Sequence, residues 1–316
     1  MILGHKKQWG FLRNKFELGQ LSHAYLLTGE RQLGKKTFAK EIAKIINCTG
    51  ENKSCGECNG CRLIEKGSHP DLLIVERKED QKEIQIAQIR DAQNFLGYKS
   101  YYGGYKTVIV DNAEEMSIEA QNCFLKTLEE PKGRTIIFMI SSNPALLLST
   151  IYSRCQNVKF FKVKDSEIKE YLRSQGLKSQ DAELVSLISE GRPGRADEFV
   201  KNPDKLSEDK NAVQEIIKIA DSELGAKFQF SKSTDLEGER LKKIFEVLQR
   251  YFRHLLLLKT GAGNANGFYP EPTAKQKSYS VEKIKNILEL IEKVDYKISS
   301  TNASPKLALE VVLMQL

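Results

Sequence analysis

Short runs of consecutive apolar residues punctuate the first half of the chain, and stretches with helical spacing of apolar residues separate them. Strands that are apolar at every position are typical of parallel sheets, because helices cover both faces of such a sheet. The pattern therefore predicts an α/β domain with a five-stranded parallel sheet and helices on each side. The predicted strands are residues 24–27, 72–75, 107–110, 135–140 and 158–161.

Helical spacing between these strands predicts the helices that cover the sheet. Residues 38–46 place their apolar side chains on one side of a helix, and the segment from Ile84 to Leu96 does the same. A further helix is predicted from Ser117, whose hydroxyl can cap its start, to Glu129, with Pro131 beyond its end.

After residue 161 the apolar pattern predicts helices alone. Short helices are expected at residues 165–175, 181–189 and 195–200, and longer ones follow residue 206. A chain of 316 residues is too long for one comfortable core. We therefore expect three domains: residues 1–163, a small helical domain at 164–203, and an all-helical domain at 204–316.

Composition narrows the class of protein only a little. Apolar residues make up 40%, charged residues 29%, and the net charge is +7, which is compatible with nucleic acid nearby and equally with a mixed solvated surface. No apolar run approaches the roughly 20 residues of a membrane span. The N-terminus lacks the pattern of a signal peptide. We expect a cytoplasmic protein without membrane contact.

Four cysteines fall within residues 48–61 with the spacing C-x6-C-x2-C-x2-C. Zinc binds four tetrahedral thiolates, and a C-x2-C turn places two sulfurs on one ion. Disulfides are disfavoured in a reducing cytosol, so a metal is the better explanation, with four free thiols as the alternative. A closed shell leaves no open position, which predicts a structural zinc. The expected ligands are Cys48, Cys55, Cys58 and Cys61.

A degenerate phosphate-binding loop follows the first predicted strand. Gly29, Gly34 and Lys35 match the start of a Walker A motif between a strand and a helix. The next residue should carry a hydroxyl for Mg²⁺, but it is Lys36, and Thr37 is one position late, about 100° around the helix. We do not expect tight binding of ATP or ADP with Mg²⁺. A loop that holds no ligand is the alternative.

The third predicted strand ends at Asp111, which is placed to assist Mg²⁺ through water. Many ATPases carry a glutamate directly after it, whereas this chain has Asn112, an amide that cannot act as a base. Glu114 and Glu115 are interpreted as a solvated acidic pair. The chain is therefore expected not to hydrolyse ATP by itself.

Ser153, Arg154 and Cys155 precede the last predicted strand. An arginine at this position is expected to face outward, where its guanidinium can meet the triphosphate of a neighbouring subunit as an arginine finger. From these three residues alone, a surface arginine in an ordinary salt bridge is the alternative.

Together these segments resemble the clamp-loader branch of the AAA+ superfamily, and within it the family of bacterial DNA polymerase III delta-prime subunits. The resemblance is dense over residues 21–160 and thin over 205–300. It is carried by residues 21–26, the four-cysteine insertion, residues 68–71 (S-H-P-D), 119–131 (E-A-Q-N-C-F-L-K-T-L-E-E-P), 141–144 (S-S-N-P), 153–156 (S-R-C-Q) and 305–310.

The resemblance implies an AAA+ domain with a zinc-ribbon-like insertion, a helical lid at 164–203 and a collar at 204–316 that joins subunits in a ring. It implies that Ser153, Arg154 and Cys155 act in trans on the adjacent motor subunit, and that Ser142 and Arg195 lie near two sensor positions. The implied partners are the tau/gamma and delta subunits, the sliding clamp indirectly, and primed DNA within the complex. The implied function is that of a non-catalytic stator in clamp loading.

Two other functions remain open at this point. A tau/gamma-type motor subunit should keep the Walker A hydroxyl and the glutamate after Asp111, and Lys36 and Asn112 argue against it. A stand-alone zinc-containing DNA-binding protein would need a basic stripe or stacking aromatics. The candidate patch for that function is Tyr98, Lys99, Tyr101, Tyr102, Tyr105 and Lys106, although a loop at a strand edge is the simpler interpretation.

Overall fold

The chain folds into two compact units, residues 1–197 and 198–316. The computed structural model describes residues 2–50, 53–233, 239–262, 268–301 and 303–316. The first unit contains all strands found in these residues, and the second is helical. No helix in the described residues is both long and apolar enough to cross a membrane.

The predicted five-stranded parallel sheet is confirmed. Its strand order is β2-β3-β4-β1-β5, and each printed pairing is parallel. Because every crossover returns the chain to the same edge, all strands end at one edge of the sheet, here called the carboxyl edge, and begin at the opposite amino edge. The strands are β1 (Ala24–Thr28), β2 (Leu72–Val75), β3 (Lys106–Val110), β4 (Thr135–Ser141) and β5 (Gln156–Lys159).

Helices cover both faces of the sheet, as the continuous apolar runs predicted. Tyr25 and Leu27 of β1 lie in one apolar cluster with Phe38, while Ala24 and Leu26 lie in a second cluster on the other face. The helices of the first part of the chain are α1 (Lys6–Glu17), α2 (Lys35–Asn47), α3 (Asn59–Lys66), α4 (Ile86–Gly97), α5 (Ile118–Glu129) and α6 (Ser149–Tyr152). Two short 3-10 helices span Ala113–Glu115 and Pro144–Leu146.

The helix predicted after Ser117 is confirmed, because the Ser117 hydroxyl accepts the N–H of Ala120 and α5 ends at Glu129. The bounds predicted for the fifth strand are wrong by two residues. The strand begins at Gln156 and ends at Lys159. It lies at the edge of the sheet beside β1, where polar residues are tolerated, so the apolar pattern did not show its start. Phe161 lies beyond its end and is 66% exposed. Four helices were not predicted, namely α1, α3, the short α6 and a further short helix, Ala274–Lys277.

Helices follow β5, also as predicted. They are α7 (Asp165–Ser174), α8 (Ser179–Ser189) and α9 (Pro193–Lys201), then α10 (Asp204–Ala220), α11 (Leu224–Ser233), α12 (Glu239–Lys259), α13 (Ala274–Lys277), α14 (Val281–Ser300) and α15 (Pro305–Gln315). Within the second unit, α12 packs on α14 and α10, and α15 packs on α11 and α14.

A buried carboxylate organises the loop that enters β3 at the amino edge. Asp71 is fully buried, and its oxygens accept the N–H groups of Tyr101 and Tyr102 at 2.8 and 3.1 Å and the hydroxyl of Ser100 at 2.9 Å. The Lys106 ammonium lies 3.6 Å away. Burial alone would raise the pKa of Asp71, but these donors outweigh burial and hold that pKa below its usual range. The loop interpretation of the tyrosine patch is therefore confirmed.

Replacing Asp71 with Asn should destabilise the protein by about 3 kcal/mol, because an amide presents a donor to groups that already donate and leaves Lys106 without its charge partner. The lowered pKa fixes the sign of the pH dependence. Above about pH 4, the free energy of unfolding of the native protein should exceed that of the variant by the full amount. The difference should shrink as pH falls further through the pKa of Asp71 in the folded protein. Denaturant titration at several pH values measures it, with the exposed Asp80→Asn as control. Equal stabilities of native and D71N protein at pH 7 would contradict this role.

Candidate functional site

The glycine loop joins the carboxyl end of β1 to the start of α2, as the motif requires. Gly29 has φ 144°, and a Cβ there would lie 2.6 Å from the carbonyl oxygen of Phe160. Gly34 has φ 85° at the N-cap of α2. Both positions therefore need glycine, and the predicted strand–loop–helix geometry is present.

Lys35 lies inside this loop and is only 6% exposed. Its ammonium donates to the carbonyl oxygen of Gly29 and, at 2.6 Å, to that of Glu30. Burial lowers the pKa of Lys35 to about 8, against the opposing charges of Glu114 and Asp111. The lysine expected to reach phosphates is thus present, buried and directed at the loop backbone.

Lys36 reaches the residue that ends β3. Its ammonium lies 3.0 Å from Oδ2 of Asp111 and 2.5 Å from Oε2 of Glu76. Partial burial would lower the pKa of Lys36, but the hydrogen bonds to Glu76 and Asp111 raise it above its usual value. Thr37 is exposed on α2. The structure therefore brings Asp111 to the loop, as predicted, but pairs it with an ammonium.

The interpretation of Glu114 and Glu115 as a solvated pair is wrong. Glu114 Oε1 accepts the N–H of Ser142 at 3.0 Å and its hydroxyl at 2.5 Å, which joins β3 to the end of β4. Glu115 bridges Arg31 at 3.2 Å and Arg77 at 3.0 Å. The 3-10 turn that follows Asn112 directs both carboxylates back toward the sheet, and the sequence pattern carried no signal for that turn.

The residues near Arg195 also contact the glycine loop within the first unit. The N–H of Gly194 donates to the carbonyl of Gln32 at 2.8 Å, and a Cβ on Gly194 would lie 2.9 Å from that oxygen. Arg195, which follows it, is only 6% exposed. Glu30 in the loop lies 3.4 Å from Arg192. The start of α9 is therefore held against the loop, where a second sensor is expected.

Arg154 lies at the amino edge of the sheet, between α6 and β5. Its Nε donates to Oε1 of Glu129 at 2.8 Å, and Nη1 donates to the carbonyl of Thr150 at 2.9 Å. The side chains of Arg154 and Glu129 remain 32% and 48% exposed. The two neighbours of Arg154 in the motif differ in their exposure to solvent. Ser153 is exposed. Cys155 lies deeper, and burial raises the pKa of its thiol to about 12. The predicted outward-facing guanidinium is present, in an exposed salt bridge.

The four cysteines predicted as ligands come together between α2 and α3. Their sulfur atoms all lie within 4.8 Å of one another, with Cys48 at 3.6 Å from Cys55 and 3.9 Å from Cys58. A tetrahedron of thiolates around zinc has edges of about 3.8 Å. Burial would raise the pKa of Cys58, but N–H donors from Cys61 and Thr49 lower it to about 5. The cluster could hold a metal ion. Glu51 and Asn52 of the predicted module lie outside the described residues.

Comparisons with known proteins agree with these features. The family described as "DNA polymerase III, delta subunit" matches residues 4–164, about half of the chain. A delta-prime subunit of DNA polymerase III from Pseudomonas aeruginosa is 41% identical over 138 residues, covering 43% of this chain and 42% of that relative. The delta-prime subunit from Bacillus subtilis is 33% identical over 220 residues, covering 69% and 66%.

Among solved structures, a gamma subunit-related protein from Thermotoga maritima matches 96% of this chain and 97% of its own, with 20% identity and a TM-score of 0.46. The chain spans 42% to 66% of the length of the two delta-prime relatives. The family match covers the glycine loop, Asp111, the cysteine cluster and Arg154 together. The parallel α/β fold with a helical C-terminal part, which the resemblance implied, is confirmed, and the chain belongs to the DNA polymerase III delta-prime subunit family.

Proposed function

We propose that this chain is the non-catalytic stator of a bacterial clamp loader, which helps to load the sliding clamp onto primed DNA in the cytoplasm. In this function Arg154 completes the ATP site of a neighbouring tau/gamma subunit, and the delta subunit is a further partner. The observation that carries the proposal is the exposed guanidinium at the amino edge, opposite a loop whose own catalytic groups are replaced.

The chain's own loop is poorly equipped for hydrolysis. Asn112 stands where a carboxylate base would polarise water, and it sits at the start of a 3-10 turn. Glu114, a partly buried carboxylate two residues beyond Asn112, is engaged by both the N–H and the hydroxyl of Ser142. These contacts favour the stator over the motor subunit, which must activate water.

Arg154 can leave its present partner at little cost. Exposed ion pairs contribute about 0–1 kcal/mol, because water screens both charges. An arginine finger gains far more when it meets the charge that develops on a transferring phosphoryl group. The Arg154–Glu129 pair is therefore compatible with a finger that is held in place in the free subunit and is exchanged or shared in the ring.

We infer that the cysteine cluster binds a structural zinc. The four sulfurs all lie within 4.8 Å of one another, and no side chain other than cysteine is needed to close a four-thiolate shell. Cys58 also caps α3 by accepting the N–H of Cys61, so the cluster determines where that helix begins.

For the collar, we infer that α15 contacts a neighbouring subunit. Leu307, Val311 and Met314 recur at helical spacing and are 62%, 42% and 50% exposed, whereas Leu309 and Leu313 face the core. Contiguous exposed apolar residues on one helix face are typical of interaction surfaces.

A buried lysine adjoins the same surface. Lys227 is 5% exposed in the groove between α11 and α15, and its side-chain ammonium makes no hydrogen bond or ion pair within the described parts of the chain. Burial, and then Lys275, lower its pKa. A carboxylate from the adjacent subunit would offset that unfavourable burial. The best-fitting partner is therefore a helix that presents apolar residues to α15 and a carboxylate to Lys227.

Changing Arg154 to Ala should leave folding intact and reduce the DNA-stimulated ATPase rate of the reconstituted loader by about tenfold or more. The reason is that the ATP site of the neighbouring subunit would lose its arginine finger. Arg154→Lys should recover only part of the rate, since an ammonium lacks the planar fork. Steady-state ATP turnover with primed DNA measures both variants. Arg134→Ala, at the same edge, is the control. A normal rate for R154A would remove the finger assignment.

Elemental analysis of the purified chain should find one zinc per molecule. Cys61→Ser should lose the metal and speed amide exchange in α3, because Cys61 lies in the first turn of that helix. Cys123→Ser, outside the cluster, should retain it. Absence of metal from the native chain, or full occupancy in C61S, would be inconsistent with the zinc assignment.

Replacing both Leu307 and Val311 with Asp should weaken co-purification with a tau/gamma subunit by about tenfold or more, since two charges would enter an apolar contact. The isolated chain should unfold at nearly its native temperature, because both side chains are exposed. Leu257→Asp, a comparably exposed leucine on α12, is the matched control. Undiminished binding by the double variant would place the ring contact elsewhere.

A further inference from the structure

Proteins with a phosphate-binding loop hold Mg²⁺ between the hydroxyl after the loop lysine and the carboxylate that ends a neighbouring strand. In this chain those two positions are Lys36 and Asp111, and they contact each other directly. The ammonium nitrogen lies 3.0 Å from the Asp111 carboxylate and 2.5 Å from that of Glu76, which follows β2. Lys36 therefore joins the ends of two adjacent strands at the carboxyl edge.

These residues do not fit Mg²⁺. The ion takes oxygen ligands at about 2.0–2.1 Å in near-ideal octahedral geometry. Here the position that should supply a hydroxyl oxygen carries a cation, and that cation occupies the carboxylate oxygen a metal would need, directly or through water. Thr37, the nearest hydroxyl along the helix, is exposed and one position away.

The charge balance leads to the same conclusion. Around the loop, the ammonium groups of Lys35 and Lys36 face the carboxylates of Asp111, Glu76 and Glu114. Two ammonium groups against three carboxylates leave a local sum of −1, so Lys36 already offsets a charge that a metal cation would otherwise neutralise. With a neutral residue at position 36, three carboxylates would face Lys35 alone, and the excess negative charge would attract a divalent ion.

We propose that the Lys36 ammonium is a built-in replacement for the divalent cation, so that the Asp111 carboxylate is already paired and the site is closed to Mg²⁺. It fixes Asp111 and Glu76 in one arrangement, irrespective of metal. The subunit thereby loses the metal-dependent rearrangement of a motor subunit and keeps a rigid α/β unit. The inference concerns the isolated chain and does not depend on the arginine-finger function.

An ordinary surface salt bridge is the simpler alternative, and the two readings make different predictions about metal. If Lys36 forms only an ordinary surface salt bridge, removing its charge should change the stability slightly, and the unfolding temperature should not respond to Mg²⁺. If Lys36 replaces the cation, Lys36→Thr should create that response, because it removes the ammonium and restores a hydroxyl beside Asp111.

The test is thermal unfolding of the full chain with and without millimolar MgCl2 at matched ionic strength. No chelator is added, so that the cysteine cluster is undisturbed. The native midpoint should be the same in both buffers. Lys36→Thr should unfold at least about 2 °C lower than the native chain without Mg²⁺, and MgCl2 should restore at least half of the loss. Lys36→Ser should behave in the same way.

Two controls make the result specific. Lys36→Arg retains the cation and should show no response to Mg²⁺. The double variant K36T with Asp111→Asn should lose the response, because a ligand is removed. The proposal is overturned if the native midpoint rises with MgCl2 in a manner that Asp111→Asn abolishes. It is equally overturned if K36T and K36S respond no more than the native chain.

Discussion

The parallel sheet imposes the constraint on which the functional geometry depends. Because every strand ends at the same edge, the glycine loop after β1 and Asp111 after β3 meet at the carboxyl edge. Arg154 precedes β5, which pairs with β1 in parallel, so it must lie at the opposite edge. A single chain cannot bring its own guanidinium to its own loop, and a second subunit is required wherever the two act together.

The two edges carry similar ion pairs that differ in the number of carboxylates around the cation. The side chains of Lys36 and Arg154 are similarly exposed, at 35% and 32%. Lys36 meets two carboxylates, Asp111 and Glu76, whereas Arg154 meets Glu129 alone among the described residues. Arg154 therefore has fewer ionic contacts to exchange than Lys36. The carboxyl edge is thus suited to a fixed scaffold and the amino edge to a contact.

The fold could be predicted from sequence because β1 to β4 consist mainly of apolar residues and α5 carries both a serine cap and a following proline. The start of α1 could not, because His5 precedes it in a left-handed conformation without a side-chain cap. Helix α3 begins after Cys58, whose sulfur caps the helix and also lies in the cysteine cluster. Asp111 was predicted at the loop, but its ion pair with Lys36 was not, and the same ammonium meets Glu76, which follows β2, in a contact that no local pattern encodes.

The position of the cysteine cluster separates its function from that of the loop. Helix α2 begins at the loop and runs back to the amino edge, and its 13 residues span about 20 Å. At its far end Asn47 accepts the N–H of Tyr105, and Asn59 of α3 donates to the Tyr102 hydroxyl. A metal in the cluster would therefore join α2 and α3 to the loop that Asp71 organises. It would lie too far from Lys35 to influence a phosphate, so its contribution is to hold the amino edge, where Arg154 also lies.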